Sequence, residues 1–400
     1  MEEKYSSKKI LFFHSDIIIL AGLPYAFHSL GYDIIETEFK PHLSEFVLEE
    51  VSIIERILDE NQDVYLVVTY DFIPVVSIAC ESKKIKYFAW VYDCPQIELY
   101  RPEVHNQYTY ISVFDRNEYL YLKSRCNIGH LFYYPLAADV DALTAAVIDE
   151  NDTIKYNADV SFLGRLYMKN YTQRILDKCS MTYKQRIQKV IHQASCIWEH
   201  STENLFSGAS ETLIDHIFHL YGYNIDNLDV DSRHFVEGTF FAPLCNTIER
   251  TKVLNTLAEH YSVTLYTNEK KLQGLNSNIK MGGEQSYWEE MPKVFGLSKI
   301  NLNITSKSMT SGVPQRIWDI LAVGGFCMTN YQPEIYDYFI DGRELVVYHT
   351  LSELIELTDY YLKNEDERLR IGINGYRKVK EIGDMVMRMA DVIEQIDADR

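Results

Sequence analysis

The sequence predicts an α/β protein of two Rossmann-like, doubly wound domains facing a cleft, with a helical insertion in the second. Three observations predict it. From residue 9 onward, short apolar β-rich runs alternate with helical-period segments, the pattern of a parallel sheet covered on both faces. The alternation ends and begins afresh at Asp159-Val-Ser-Phe-Leu-Gly164, which marks a second sheet. The chain has 400 residues, enough at roughly 100 to 200 residues per domain for two or three cores.

In the first half the expected strands are Ile10–His14, Asp33–Glu36, Val64–Thr69, Tyr87–Val91, Ile111–Phe114 and Leu131–Tyr134. Helical stretches lie between them at Ala21–Leu30, Ser44–Asn61, Ile73–Ser82 and Asn117–Ser124. The first turn reads His14-Ser15-Asp16-Ile17 and lacks G-x-G-x-x-G, which disfavours a nicotinamide or flavin enzyme. The second alternation is interrupted from about Lys169 to Val236 by a polar, aromatic-rich helical insertion. It resumes with a helix at Ile248–His260, a strand at Val263–Thr267, a helix at Trp288–Phe295 and a strand at Ile300–Ile304. A helix at Pro314–Ala322, strands at Phe326–Thr329 and Glu344–Val347, and a helix at Leu351–Leu362 follow. Glu365–Lys380 and Met385–Ile396 read as two closing helices. The expected domains are therefore 1–155, 156–383 with its insertion at about 169–236, and a closing helix in 384–400.

Composition narrows the partners. Lys plus Arg number 39 against 58 Asp plus Glu, a formal charge of −19, and a field of that sign repels phosphate backbones and anionic headgroups. Nucleic-acid partners are not expected. Seven scattered cysteines without a C-x-x-C pair read as reduced thiols of a cytoplasmic protein, not as disulfides or a zinc site. The polar start of the chain is not a signal peptide, and the longest apolar stretch, Ile17–Phe27, is short of the roughly 20 residues a membrane span needs. Asp139-Val-Asp141 and Asp229-Val-Asp231 imitate a D-x-D metal motif, but neither follows a convincing strand, and both are read as helix-start or loop carboxylates. No metal is expected.

The most informative stretch runs from Lys299 to Gly325. A strand ends near Ile304, a hydroxyl-rich loop with Lys307, Ser311 and Gly312 follows, and a helix opens with Pro314 in its first turn. Loop N–H groups and a positive helix end converge there, which suits a diphosphate. Gln315, Arg316 and Asp319 share one helix face, so Arg316 can reach a phosphate while Asp319 accepts from a vicinal diol such as a ribose. The same spacing also fits a capped, salt-bridged surface helix. In the first half, Asp93 follows a strand and precedes Cys94-Pro95, a place for a base that takes a hydroxyl proton or for an Asx-type turn residue. His14, ending the first strand, is the second candidate base, or a packed loop residue. Tyr70, Asp71 and His105 are further candidates for acceptor contact.

The segments Glu290-Met-Pro-Lys-Val-Phe, Ser298-Lys-Ile-Asn-Leu-Asn-Ile-Thr, Ser311-Gly-Val-Pro-Gln-Arg-Ile-Trp-Asp-Ile-Leu and Gly324-Gly-Phe-Cys-Met-Thr-Asn-Tyr-Gln-Pro-Glu resemble the bacterial CgeB-like (spore maturation protein type) glycosyltransferases. The likeness extends to Ile248-Glu-Arg250, Val263-Thr-Leu-Tyr-Thr267, Asp159-Val-Ser-Phe-Leu-Gly164, Trp90-Val-Tyr-Asp-Cys-Pro95, Val113-Phe-Asp115 and Tyr134-Pro-Leu-Ala137. It implies the GT-B architecture, in which the C-terminal domain binds a nucleoside-diphosphate sugar, the N-terminal domain presents the acceptor, and no essential metal takes part. Carried over by motif, Arg250, Lys307 and Arg316 address the donor diphosphate and Asp319 the ribose, with Gly164, Ser311 and Gly312 lining the donor site. Two positions depart from the family: Lys307 stands where Arg is usual, and Gln315 where an aliphatic residue is usual. The Glu that related retaining enzymes carry eight residues before the ribose-binding carboxylate is Ser311 here, so that signature is absent.

The expected function is transfer of a sugar from a nucleoside-diphosphate donor to an acceptor hydroxyl of a glycan, glycolipid or protein, in cell-surface or spore-surface glycan or glycoprotein synthesis. Two alternatives stay open: a non-catalytic glycan-binding or surface-layer scaffold of the same fold, and a GT-B-fold nucleotide-sugar epimerase.

Overall fold

The computed structural model describes residues 8–15, 22–43, 46–168, 171–198, 205–222, 228–270 and 272–398. Of the expected features, the turn residues Asp16 and Ile17, the helix starts at Ala21 and Ser44, and parts of the insertion lie outside the described residues.

The chain divides into two α/β units, the first made of 1–139, 224–230 and 383–400, the second of 140–223 and 231–382. In the first, β1 (Lys9–Phe13), β2 (Asp33–Glu36), β3 (Val64–Tyr70), β4 (Lys86–Trp90), β5 (Thr109–Val113) and β6 (Leu131–Tyr133) form one sheet in the order β2-β1-β3-β4-β5-β6. Every pairing is parallel. Each expected strand is present within two residues at either end. Leu66, Val67 and Val68, like Phe88 and Ala89, are fully buried, because helices cover both faces of the sheet. The chain returns here at its end. The helix Met385–Ala398 packs on the helix Gly22–Ser29, Lys86 Nζ donates to Ile396 O at 2.7 Å, and Met385 N donates to Ala138 O at 3.0 Å. Part of the expected insertion also belongs to this unit: Asp229 N donates to Tyr100 O at 2.8 Å and its carbonyl accepts from Cys126 Sγ at 3.1 Å.

In the second unit, β7 (Val160–Leu163), β8 (Val263–Tyr266), β9 (Lys280–Gly283), β10 (Ile300–Asn303), β11 (Cys327–Asn330) and β12 (Val346–Tyr348) form a parallel sheet in the order β12-β11-β10-β7-β8-β9. Its core is mainly aliphatic, with Val160, Leu254, Leu265, Ile300, Leu302 and Met328 among its buried members beside the aromatic Phe162. Three local expectations change. No element is expected over 280–283, where β9 forms; its sequence, Lys-Met-Gly-Gly, carries no strand signal, and its place comes from pairing with β8 at the sheet edge. The helix expected at Ile248–His260 begins at Ala242, because Pro243 lies in its first turn, where a missing N–H breaks no bond. Pro314 is the residue before the helix Gln315–Ala322 and holds extended backbone at ψ 151. Asp141 lies in the first turn of the helix Val140–Thr144, and Asp231 caps the helix Ser232–Val236, as expected of helix-start carboxylates.

The strand order reverses between β1 and β3 in the first sheet and between β7 and β10 in the second. In open α/β sheets, ligands bind outside the carboxyl ends of strands at such reversals.

Candidate donor and acceptor sites

The reversal in the second unit brings together Gly164, directly after β7, and the loop that follows β10. Gly164 N donates to Tyr266 O at 2.9 Å, extending the β7–β8 ladder by one residue. A Cβ on Gly164 would lie 2.8 Å from Arg316 Nη2, so the glycine makes room for the guanidinium. Arg316 lies 5.6 Å and Arg250 5.5 Å from the centre of the Phe162 ring. Two guanidinium groups thus converge on one aromatic residue. Desolvation first, and the Arg250 charge second, lower Arg316 to about 10.

The two arginines differ in their partners. Arg250, 4 % exposed, donates from Nη1 to Arg165 O and from Nη2 to Ile304 O, both at 2.6 Å. Those carbonyls follow β7 and β10, so Arg250 ties the two sides of the reversal together. Arg316 donates no hydrogen bond to the described residues, and its charge lies near those of Arg250 and Asp319.

Lys307 was expected to face a phosphate. Its ammonium is instead fully buried, 3.2 Å from Glu249 Oε2 and donating to Ile197 O at 2.9 Å. Its backbone N–H donates to Asn246 Oδ1 at 2.9 Å, and Asn246 Nδ2 donates to Ser306 Oγ at 2.6 Å. This network anchors the start of the loop to the helix Ala242–Ala258 and to the end of the insertion helix Met181–Ser195. Farther along the loop, Ser311 Oγ donates to the buried Glu334 at 2.5 Å and Gly312 is buried.

Asp319 is 3 % exposed, and its Oδ1 accepts from Tyr287 OH at 2.9 Å and Gln315 Nε2 at 2.7 Å. The shared face of Gln315 and Asp319 is therefore real, and Gln315 uses it to hold the carboxylate. Burial raises the Asp319 carboxyl to about 7 despite both hydrogen bonds.

In the first unit, His14 follows β1 and Glu36 ends β2, and His14 Nε2 is 2.5 Å from Glu36 Oε2. The phenol of Tyr70, at the end of β3, accepts from Leu23 N at 2.9 Å, and burial raises its pKa. Asp71, with no exposed surface, follows at φ 55. Asp93 lies three residues beyond β4, where Asp71 Oδ1 accepts from Asp93 N at 3.1 Å and from Tyr92 N at 2.7 Å. Glu98 is close enough to feel the Asp93 charge, and burial first, then that charge, contributes to raising it to about 7. His105 ends the short helix Pro102–His105 and takes no part in this group of carboxyls. Among the described residues, no group of three or more His, Cys, Asp or Glu is arranged to hold a metal ion.

Glu36, Glu98, Asn246, Glu249, Tyr287 and Glu334 are among the residues of these sites not singled out from sequence. Glu249 was the most accessible of them, since it adjoins Arg250 in a quoted motif. Tyr287 lies in a loop without a periodic signal.

No helix among the described residues is long and apolar enough to cross a membrane. No curated protein matches the sequence. Solved structures share the fold along almost the whole chain. Sucrose-phosphate synthase from Thermosynechococcus elongatus superposes with a TM-score of 0.56 at 8% identity, covering 98% of this chain and 100% of that one. A glycosyltransferase from Rickettsia africae gives 0.52 at 11% identity, and Anabaena HepE in complex with UDP and glucose gives 0.51 at 10%, each covering 98% of this chain and 100% of its own. At these identities the likeness is one of fold, and that fold is GT-B. Residues 250–394, which include Arg250, Lys307, Arg316 and Asp319, match the model of a family described as glycosyl transferase-like.

Proposed function

We propose that the protein transfers a sugar from a nucleoside-diphosphate sugar to an acceptor hydroxyl, in the manner of the CgeB-like enzymes. The observation that carries this reading is Arg316: a guanidinium without a hydrogen-bond partner among the described residues, within the glycosyl transferase-like segment 250–394 and beside Gly164 at the strand-order reversal of the second unit. In a chain of net charge −19, a desolvated cation that makes no salt bridge to the described residues favours an anionic ligand. We assign Arg316 to the donor diphosphate and Asp319 to the ribose, with Gly164, Ser311 and Gly312 lining the approach. Arg250 and Lys307 support this site by holding the ends of β7 and β10 and the loop between β10 and the helix.

In an inverting transfer, Asp93 takes the proton of the acceptor hydroxyl as its oxygen bonds to the anomeric carbon. The bond from that carbon to the diphosphate breaks, and the diphosphate leaves with the electron pair. Arg316 stabilises the charge that develops on the leaving group, a task other transferases give to a divalent ion, so no metal is required. UDP is the first nucleotide to test, because a structural neighbour of the same fold is described with UDP and glucose. The acceptor is a glycan, glycolipid or protein of the cell or spore surface, modified from the cytoplasmic side.

The test is incubation with UDP-, GDP- and dTDP-sugars, following nucleoside diphosphate release. Release is the expected result. Interconversion of the sugar without release would make the protein an epimerase, and no turnover with no binding would make it a scaffold. Arg316→Ala and Asp319→Ala should weaken calorimetric binding of the donor at least tenfold, whereas Asp93→Asn should spare binding and suppress release.

A further inference from the structure

We propose that Asp71 is a positioning residue for Asp93, holding the peptide that carries the base in one orientation; this rests on the reading of Asp93 as the base. Asp71 closes the end of the β3–β4 ladder, where its N–H donates to Trp90 O at 2.9 Å. Its own Oδ1 then accepts two consecutive N–H groups of the chain leaving β4, Tyr92 at 2.7 Å and Asp93 at 3.1 Å. A second brace lies three residues on. Gln96 accepts from Phe72 N at 2.9 Å and donates to Phe72 O at 2.8 Å. The segment 92–96 is thereby pinned near both ends to the residues that follow β3, and Asp93 lies between the pins.

Two features of Asp71 are unfavourable for folding alone. It adopts φ 55, a left-handed conformation that side-chain-bearing residues other than Asn and Asp rarely take. Its Oδ2 is buried without a hydrogen-bond partner, although buried polar atoms are nearly always paired. Strain and an orphaned polar atom at the carboxyl end of a central strand are characteristic of a device kept for function. Placement of a base matters because a misplacement of about 1 Å can lower the rate by about a hundredfold.

Asn supplies the same acceptor oxygen and tolerates the same backbone, whereas Ala does neither. With UDP-glucose as donor and UDP release as readout, Asp71→Asn is expected to keep kcat within about threefold of wild type. Asp71→Ala should lower kcat tenfold or more, with KM for UDP-glucose unchanged. Amide hydrogen exchange of peptides covering 91–95 should quicken in Asp71→Ala and not in Asp71→Asn. The decisive measurement is the cycle with Asp93→Asn: if Asp71 acts through Asp93, adding Asp71→Ala to Asp93→Asn lowers kcat no further. Additive losses would overturn the positioning role while leaving Asp93 as base. Wild-type turnover in Asp93→Asn would instead overturn the base assignment, and with it this proposal, and a wild type inert toward UDP-glucose would do the same for the UDP-sugar reading. If Asp71→Ala does not fold, Asp71→Glu serves: it keeps the charge and shifts the carboxylate by one methylene, and kcat equal to that of Asp71→Asn would refute the proposal.

Discussion

Replacing Asp319 by Asn should make the protein more stable at pH 8, and the gain should vanish toward acid. Asp319 is 3 % exposed, and its carboxyl is raised to about 7. In the unfolded chain it titrates near the ordinary value of about 3.9. Between those two values the folded state binds the extra proton, so stability falls as pH rises through that window and is level above it. For a pKa moving from about 3.9 to about 7, the linkage relation places the loss between pH 5 and pH 8 at roughly 2–3 kcal/mol. Asn cannot ionise, yet its carbonyl oxygen can accept from Tyr287 OH and Gln315 Nε2 as the carboxylate does. Thermal unfolding of both proteins at pH 5 and pH 8, followed by tryptophan fluorescence, measures the difference, since Trp318 adjoins the substitution. At about 2–4 °C per kcal/mol for a unit of this size, the Asn variant should gain roughly 5–10 °C on wild type between the two pH values. Parallel changes in Tm for the two proteins would refute the argument that burial opposes the charge on Asp319.

Three further outcomes are expected. Gly164→Ala should lower stability, because residue 164 sits at φ 158, which side-chain-bearing residues rarely adopt, and should weaken donor binding about tenfold by calorimetry, because its Cβ meets the mobile end of Arg316 at 2.8 Å and pushes the guanidinium aside. Lys307→Met should lower stability in urea by about 3–5 kcal/mol by stranding Glu249 in the interior, and adding Glu249→Leu should recover most of the loss. Removing 384–400 should loosen the first unit, seen as faster amide exchange in the helix Gly22–Ser29, while the second unit keeps its protection.

The sheets were legible because their strands are short apolar runs with no surface of their own to expose. Val64–Thr69 and Ile300–Ile304 could be placed from composition alone, and a pair of such alternations sufficed for the fold. β9 was illegible for the opposite reason, since Lys280–Gly283 is exposed and glycine-rich and becomes a strand only through its neighbour β8. At the site, the shared helix face of Arg316 and Asp319 followed from spacing. The partners did not, because Tyr287 lies 32 residues from Asp319 in sequence and Ile197 lies 110 residues from Lys307. Lys307 shows the limit most plainly: a cation in a hydroxyl-rich loop reads as a phosphate ligand until a buried carboxylate is found beside it.

The return of the last helix to the first unit bears on synthesis. Six strands of that unit are made early, but Met385–Ala398 leaves the ribosome only after some 240 further residues, most of them belonging to the second unit. At about 5–20 residues per second, that is a wait of roughly 12–50 s. Throughout it the surface that the helix Gly22–Ser29 keeps for its partner stands uncovered on the nascent chain. The half that is begun first is the half that is finished last.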